Sequence, residues 1–311
     1  MKLLAALASA SALLAAGGPA GPAPSPKLAG CTVFPASNPW NRRVDRLPVT
    51  ADSAAIIGSI GADTGLHADF GSGLWQGAPI GIPVTVVRRS QPKVRVTFEY
   101  ADESDRGPYP IPPNVRIEGG RASDGDRHAI IVDRDSCRLY ELYAVYPRWR
   151  AGSGAIWSLR SNRLRPAGWT SADAAGLPIL PGLARYEELA RGAIRHALRF
   201  TVQRTRRAYV YPARHFASDL TDPRLPPMGL RVRLKASFDV SRFPRQARIV
   251  LVALKRYGMI VADNGSSWYV TGAPDARWSN DQLHTLDRVK GSDFEVVDTR
   301  SLRNPLRGAR P

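Results

Sequence analysis

A mainly β fold, antiparallel and built as a β-sandwich or jelly-roll-like pair of sheets with a few peripheral helices, is what this 311-residue chain predicts, with an α+β arrangement as the alternative. Three observations predict it. Short runs rich in Val, Ile, Tyr and Phe recur along the chain, Gly, Pro, Asn and Asp clusters punctuate them, and only four segments carry helix signals.

The first helix is expected over Thr50 to Ile60, with Thr50 as N-cap, Ile56, Ile57 and Ile60 as apolar content and Gly61 as terminator. Ile82–Val87 and Val94–Tyr100 are β-prone and separated by an Arg-Arg-Ser-Gln-Pro turn, and Tyr109–Asn114 has the proline content of an extended polyproline segment. Ala129–Asp133 and Arg138–Tyr143 form a hairpin through Arg134-Asp135-Ser136-Cys137. From Arg150 to Pro181 the Gly, Ser, Asn, Pro and Trp content suggests an ordered loop over a binding face. A short helix over Tyr186–Arg191 ends at Gly192, and Ile194–Val202 with Ala208–Ala213 is expected as a second hairpin. Leu230–Leu234 is strand-like. Pro244 opens a helix that runs to Tyr257 and closes at Gly258, Met259–Ala262 returns as a buried strand, and Ser279-Asn280-Asp281-Gln282 has capping-box form before a last helix to about Val289.

The ends read differently. Met1-Lys2, an apolar stretch to Ala16 and a Gly/Pro/Ala-rich passage form a signal peptide and tether over residues 1–26, leaving residues 27–299 as one globular domain and 300–311 as a basic disordered tail. The chain is therefore expected to be secreted or periplasmic, with no transmembrane helix. In that compartment the two cysteines, Cys31 and Cys137, pair as a disulfide tying the mature N-terminus to the hairpin tip. Leu28-Ala29-Gly30-Cys31 also has the form of a lipoprotein anchor, although Pro22–Lys27 separates it from the apolar core.

With 44 Lys and Arg against 27 Asp and Glu, formal net charge is +17, nearly all of it arginine. Arginine suits carboxylate, sulfate and phosphate, so a polysaccharide or an anionic cell-envelope polymer is the expected partner, and nucleic acid is not. A solvated arginine-rich surface would give the same composition.

Chemistry concentrates in three places. Ser123-Asp124-Gly125-Asp126-Arg127-His128 delivers two carboxylates and an imidazole to a strand, so Asp126 would orient or assist a basic His128. The same turn is also satisfied by bonding its own backbone. His196 shares a face with Ile194, Leu198, Phe200 and Val202, which fits a core histidine or, beside His128, an acid/base pair. Asp263-Asn264-Gly265-Ser266-Ser267-Trp268-Tyr269 ends a strand in an acid and presents two aromatics, a composition that fits saccharide. Asp126, His128, His196 and Asp263 are thus the catalytic candidates. Arg127, Arg214, Asn264, Trp268, Tyr269 and Trp169 are the substrate-binding ones. No zinc-ligand spacing, phosphate loop, nucleophile elbow or dinucleotide fingerprint occurs, so neither a metal nor a cofactor is expected.

Phe34-Pro35-Ala36-Ser37-Asn38-Pro39-Trp40-Asn41, the Ser123–His128 turn, Gly168–Pro178 and Tyr257–Tyr269 together resemble a family of secreted bacterial proteins of unassigned activity. The resemblance implies one unit over the mature chain and no particular chemistry. The function expected is a secreted enzyme acting on a complex polysaccharide, acidic ones included, as a lyase or a glycoside hydrolase. Arg127 or Arg214 would neutralise a substrate carboxylate. The alternative is a non-catalytic envelope or glycan-binding protein that uses Trp157, Trp169, Trp268 and the arginine surface.

Overall fold

The computed structural model describes residues 25–303; the apolar leader (residues 1–24) and most of the basic tail (residues 304–311) lie outside the described residues. Among those described, no helix is long and apolar enough to cross a membrane.

In chain order the elements that build the frame are α1 (Ser53–Ile60), β1 (His67–Asp69), β2 (Val84–Val87), β3 (Ala129–Asp133), β4 (Arg138–Tyr143), β5 (Ser153–Ser158), α2 (Tyr186–Ala190), β6 (Leu198–Val202), β7 (Arg231–Leu234), α3 (Arg245–Arg256), β8 (Met259–Asn264), β9 (Tyr269–Thr271), α4 (Asn280–His284) and β10 (Phe294–Val296). Four strands form one sheet in the order β5-β4-β3-β2, and six form another in the order β10-β7-β8-β6-β9-β1. The fold is mainly β with a few helices, as expected.

The sheets are mixed rather than wholly antiparallel. β2 lies parallel to β3, β6 to β8 and β9 to β1. Parallel neighbours need a long return path, and the irregular passage between β2 and β3 supplies one. Of the expected strand Val94–Tyr100 only Thr97–Phe98 forms, and it lies beside Arg150–Ala151 and not beside β2. The 129–143 hairpin has the expected ends. The expected hairpin of Ile194–Val202 with Ala208–Ala213 does not form, because β6 takes β8 and β9 as its neighbours. Within the expected 150–181 loop lies a full strand, β5, masked by its small residues: a side chain at Gly154 would collide with Tyr109 and Phe98.

Each sheet has its own core. β3 is buried on both faces: Ile130 and Val132 pack with Cys31, Leu139 and Trp157, while Ala129 and Ile131 pack with Tyr109, Tyr140 and Leu142. This explains why its sequence is continuously apolar. The six-stranded sheet packs against α1 and α3, and α3 inserts Val250, Leu251 and Leu254, each worth roughly 1.5–3 kcal/mol of burial. The segment 172–184 serves both cores, giving Ala172, Ile179 and Leu180 to one and Ala175, Leu177 and Ala184 to the other. The two sheets therefore meet through this segment instead of sharing one sandwich core. Glu141 of β4, fully buried, holds it by accepting bonds from the backbone N–H groups of Ile179 and Leu180 at 2.9–3.0 Å.

Cys31 and Cys137 are bridged, with Cα atoms 5.6 Å apart. The bridge uses the sulfur that lipidation at Cys31 would need. It closes a loop of 106 residues, for which chain entropy gives a stabilisation of about 4–5 kcal/mol. The paired variant Cys31→Ser/Cys137→Ser should therefore unfold with a free energy lower by roughly 2–5 kcal/mol in urea titration, and reductant should reproduce that loss in the unmodified protein.

Candidate functional site

The six-stranded sheet carries a polar row on the face turned from its apolar core. Strand side chains alternate, and the register sets Tyr269 beside His67, Thr271 beside Asp69, and Phe200 beside Val270. His67, Asp69, Tyr269, Thr271, Arg199 and Thr201 thus share one face. Asp263 joins them through a local irregularity. The register between β6 and β8 slips by one residue between Phe200 and Thr201, which sets Asp263 opposite Thr201; without the slip Asp263 would fall with Val202, a core residue.

Arg199 organises the row. Its guanidinium is buried and grips Asp173 through two bonds of 2.8 and 2.9 Å, reaches Thr271 Oγ1 at 2.8 Å and approaches Asp263 at 3.4 Å. Burial opposes its charge, but the Asp173 carboxylate outweighs burial and holds it protonated. Asp263 responds differently. Burial and the neighbouring Asp173 push its carboxyl up to about 7, against the offsetting pull of Arg199 and His128.

Facing this row are His128, immediately before β3, and Glu118, from the irregular passage that leads to it. His128 is buried, with Nδ1 2.5 Å from Glu118 Oε2 and Nε2 2.9 Å from the carbonyl oxygen of Ala172. Both acceptors require N–H donors, so the ring is an imidazolium; burial disfavours that charge, but Glu118 overrides it and raises the pKa to about 9. Burial would likewise raise Glu118, yet the His128 charge keeps its carboxyl below the usual range. His128 is consequently not the expected base at neutral pH: it holds a carboxylate in place.

A cleft of about 650 Å³ opens beside the row, with His67, Asp69, Trp75, Glu118, Asp124 and Tyr269 on its walls. The His67 and Tyr269 rings stack, centroids 4.2 Å apart, and Trp75, on a short hairpin of Leu74–Trp75 with Ala78–Pro79, is 70% exposed. Asp69 is exposed on the cleft wall, and its carboxyl is raised, first by the desolvation that the surrounding walls impose and then by Glu118. The two carboxyl groups in one cleft are therefore driven apart, Asp69 toward the acid and Glu118 toward the carboxylate. Asp126 is exposed and near enough to Asp263 and Tyr143 to raise both, after burial.

The remaining expected site residues have other work. His196 does not meet His128. It lies outside β6, fully buried, with Nδ1 2.7 Å from the Ala197 carbonyl and Nε2 3.0 Å from Glu188, which also pairs with Arg185 at 2.7 Å. Arg127 is folded back on the carbonyls of Val145, Arg121 and Ser123, and Arg214 on that of Arg165. Those bonds turn Nε and Nη1 of Arg127 and Nε of Arg214 onto the backbone, and neither residue lines the cleft. Trp268 is wholly buried, stacked between Phe200 and Phe294, with Nε1 donating to the Gly61 carbonyl at 2.8 Å. Asn264 accepts from Thr205 and belongs to the turn, and Trp169 lies under the Arg165 guanidinium. Of the expected set, Tyr269 lines the cleft, while Asp263, Asp126 and His128 border the row.

Glu118, Asp69, His67, Arg199 and Asp173 were not singled out from the sequence. One signal was present: Arg199 interrupts the run Leu198–Val202, where a buried cation requires a buried acid. Comparisons with family models, curated proteins and solved structures give no match.

The raised groups share a sign. His128 is raised from 6.5 to about 9, so its contribution is complete below pH 6.5 and lost as pH rises through 9; Asp263 and Glu141, raised from 3.8 and 4.5 to about 7, favour the fold when protonated and lose that contribution between about pH 4 and 7. Glu118 and Glu188, both depressed, act oppositely below the usual carboxylate range. Stability should therefore be highest near about pH 4 and fall steadily toward pH 9. Urea midpoints across that range check the trend, and an NMR titration should find the His128 ring still protonated at pH 8.

Proposed function

We propose that this chain is an exported glycoside hydrolase that cleaves a neutral or amino-sugar polysaccharide in the cleft beside the polar row. The observation that carries the reading is the pair of cleft carboxyl groups shifted in opposite directions, Asp69 up and Glu118 down. Hydrolysis of a glycosidic bond uses such a pair, one protonated to donate to the leaving oxygen and one ionised to act as nucleophile or to activate water. Asp69 takes the acid role. Glu118, its Oε2 held by His128, has Oε1 without a hydrogen bond among the described residues and takes the other.

The walls fit a sugar ring. Tyr269 stacked on His67 and the exposed Trp75 offer apolar faces for ring C–H groups, with carboxylates beside them to bond hydroxyls. Elimination from a uronate fits less well. It needs a cation against the substrate carboxylate, but neither Arg127 nor Arg214 lines the cleft, Arg199 is paired with Asp173, and the cleft carries Asp69, Glu118 and Asp124. Export is supported by the apolar leader and by the disulfide.

Purified protein incubated with neutral, amino-sugar and uronate polysaccharides should release reducing ends from one of the first two classes without forming unsaturated uronate. Asp69→Asn should lower the rate by about a hundred-fold or more with the fold intact by circular dichroism. Trp75→Ala should act mainly on KM. Full activity in Asp69→Asn would overturn the assignment, and retention of a polysaccharide with no cleavage of any would make the chain a binding protein.

A further inference from the structure

On the opposite side of the six-stranded sheet lies a groove of about 350 Å³ between α3 and the turn that follows α2. Its rim carries Arg195, Arg245, Arg248 and Arg256, and its floor is formed by Ile194, Ile249 and Val252. All four arginines are exposed, and among the described residues none of their side chains makes an ion pair or a hydrogen bond to protein, whereas Arg127, Arg165, Arg199, Arg231 and Arg233 are all engaged. No acidic residue lines the groove.

The helix itself is built against its own stability at this point. α3 contains no Asp or Glu, begins with Arg245, places Arg248 one turn later, and has no side-chain cap at Pro244. Cations near a helix N-terminus oppose the macrodipole and so favour a nearby anion, while the Gln246 N–H is met by Gln282 Oε1 at 2.9 Å. The arginines span positions 245 to 256, about 16 Å of helix, with Ile249 and Val252 between them.

From this we infer that the α3 groove binds an acidic polysaccharide, a uronate chain in particular, at a second site independent of the cleft. Guanidinium forks bind carboxylates in bidentate fashion, and the span accommodates several successive anionic sugars. The apolar floor selects the polymer: it fits the C–H faces of sugar rings, which a polyphosphate lacks, and it presents no exposed aromatic on which a nucleic-acid base would stack. α3 packs by its apolar face on the core side of the sheet and the polar row occupies the other side, so the bound polymer leaves the cleft free. The groove is an anchoring site, and it stands whether or not the cleft hydrolyses anything.

The test is affinity electrophoresis of the full chain in gels containing polygalacturonate, with a neutral galactan gel as reference. The unmodified protein should be retarded by polygalacturonate alone, and Arg195→Glu/Arg248→Glu should weaken that retardation by at least ten-fold in apparent Kd. Arg88→Glu/Arg95→Glu, an equal charge change on exposed arginines of the other lobe, should weaken it less than two-fold, with circular dichroism confirming that both variants fold. Equal losses in the two variants would reduce the effect to net charge and overturn the proposal. So would stronger binding of polyphosphate or duplex DNA than of polygalacturonate at matched salt.

Discussion

The buried guanidinium of Arg199 is the constraint from which the arrangement between the two sheets follows. A charge in that position is tolerated only with a carboxylate in bidentate contact, and Asp173 provides it from the segment that joins the two cores. Once Asp173 is fixed, Ala172 beside it is fixed too, and its carbonyl receives Nε2 of His128 from the other sheet. His128 then holds Glu118 at the mouth of the cleft. Four side chains and one carbonyl thus connect β6 to β3, and removing any charged partner would strand the next. Breaking one link in such a buried chain typically costs about 3–5 kcal/mol.

The same network separates the pKa values of the carboxyl groups around it. Positive charge is concentrated on Arg199 and His128, each with a preferred partner, Asp173 and Glu118. Carboxyl groups outside those partnerships, Asp263 and Asp69, feel burial and the neighbouring acids more than the cations. Two populations result from one geometry: paired carboxylates that stay ionised and unpaired ones drawn toward the acid. Glu141 belongs to the second group despite its backbone donors, because burial exceeds what those donors return, and its place beneath Ile179 and Leu180 makes it a fastening of the joining segment. The site is therefore inseparable from the interface that holds the sheets together.

How much of this was legible in the sequence depends on how local each signal is. The 129–143 hairpin, the helix after Pro244 and the capping of Asn280–His284 by Ser279, whose side chain accepts from Gln282, are written in neighbouring residues and emerge as expected. The disulfide follows from a count of two. By contrast, β1, β9 and β10 are three-residue strands whose hydrogen-bonding partners lie far away in the chain, and β5 is hidden by the glycine its neighbours require. Parallel pairing leaves no turn to read. The expected second hairpin failed for the same reason: Leu198–Val202 is strand, but its neighbours were decided by the sheet and not by the adjoining residues.

The site shows the same division. The Ser123–His128 turn does lie beside it, yet the roles read from residue type are partly exchanged. His128, chosen as a base, is a cation that positions Glu118, and Arg127, chosen to meet substrate, closes its own loop. Residue type sets what a group can do, whereas its partners set what is left for it to do. An imidazole with two acceptors has no lone pair to offer, and a guanidinium turned onto its own loop's carbonyls is aimed away from the cleft. Among the described residues, groups that keep free capacity include Asp69 and Glu118 Oε1 on one side of the sheet and the groove arginines on the other. Function in this chain is best sought where the hydrogen-bond accounting is left open, and that accounting can be made only after the distant strands have been brought together.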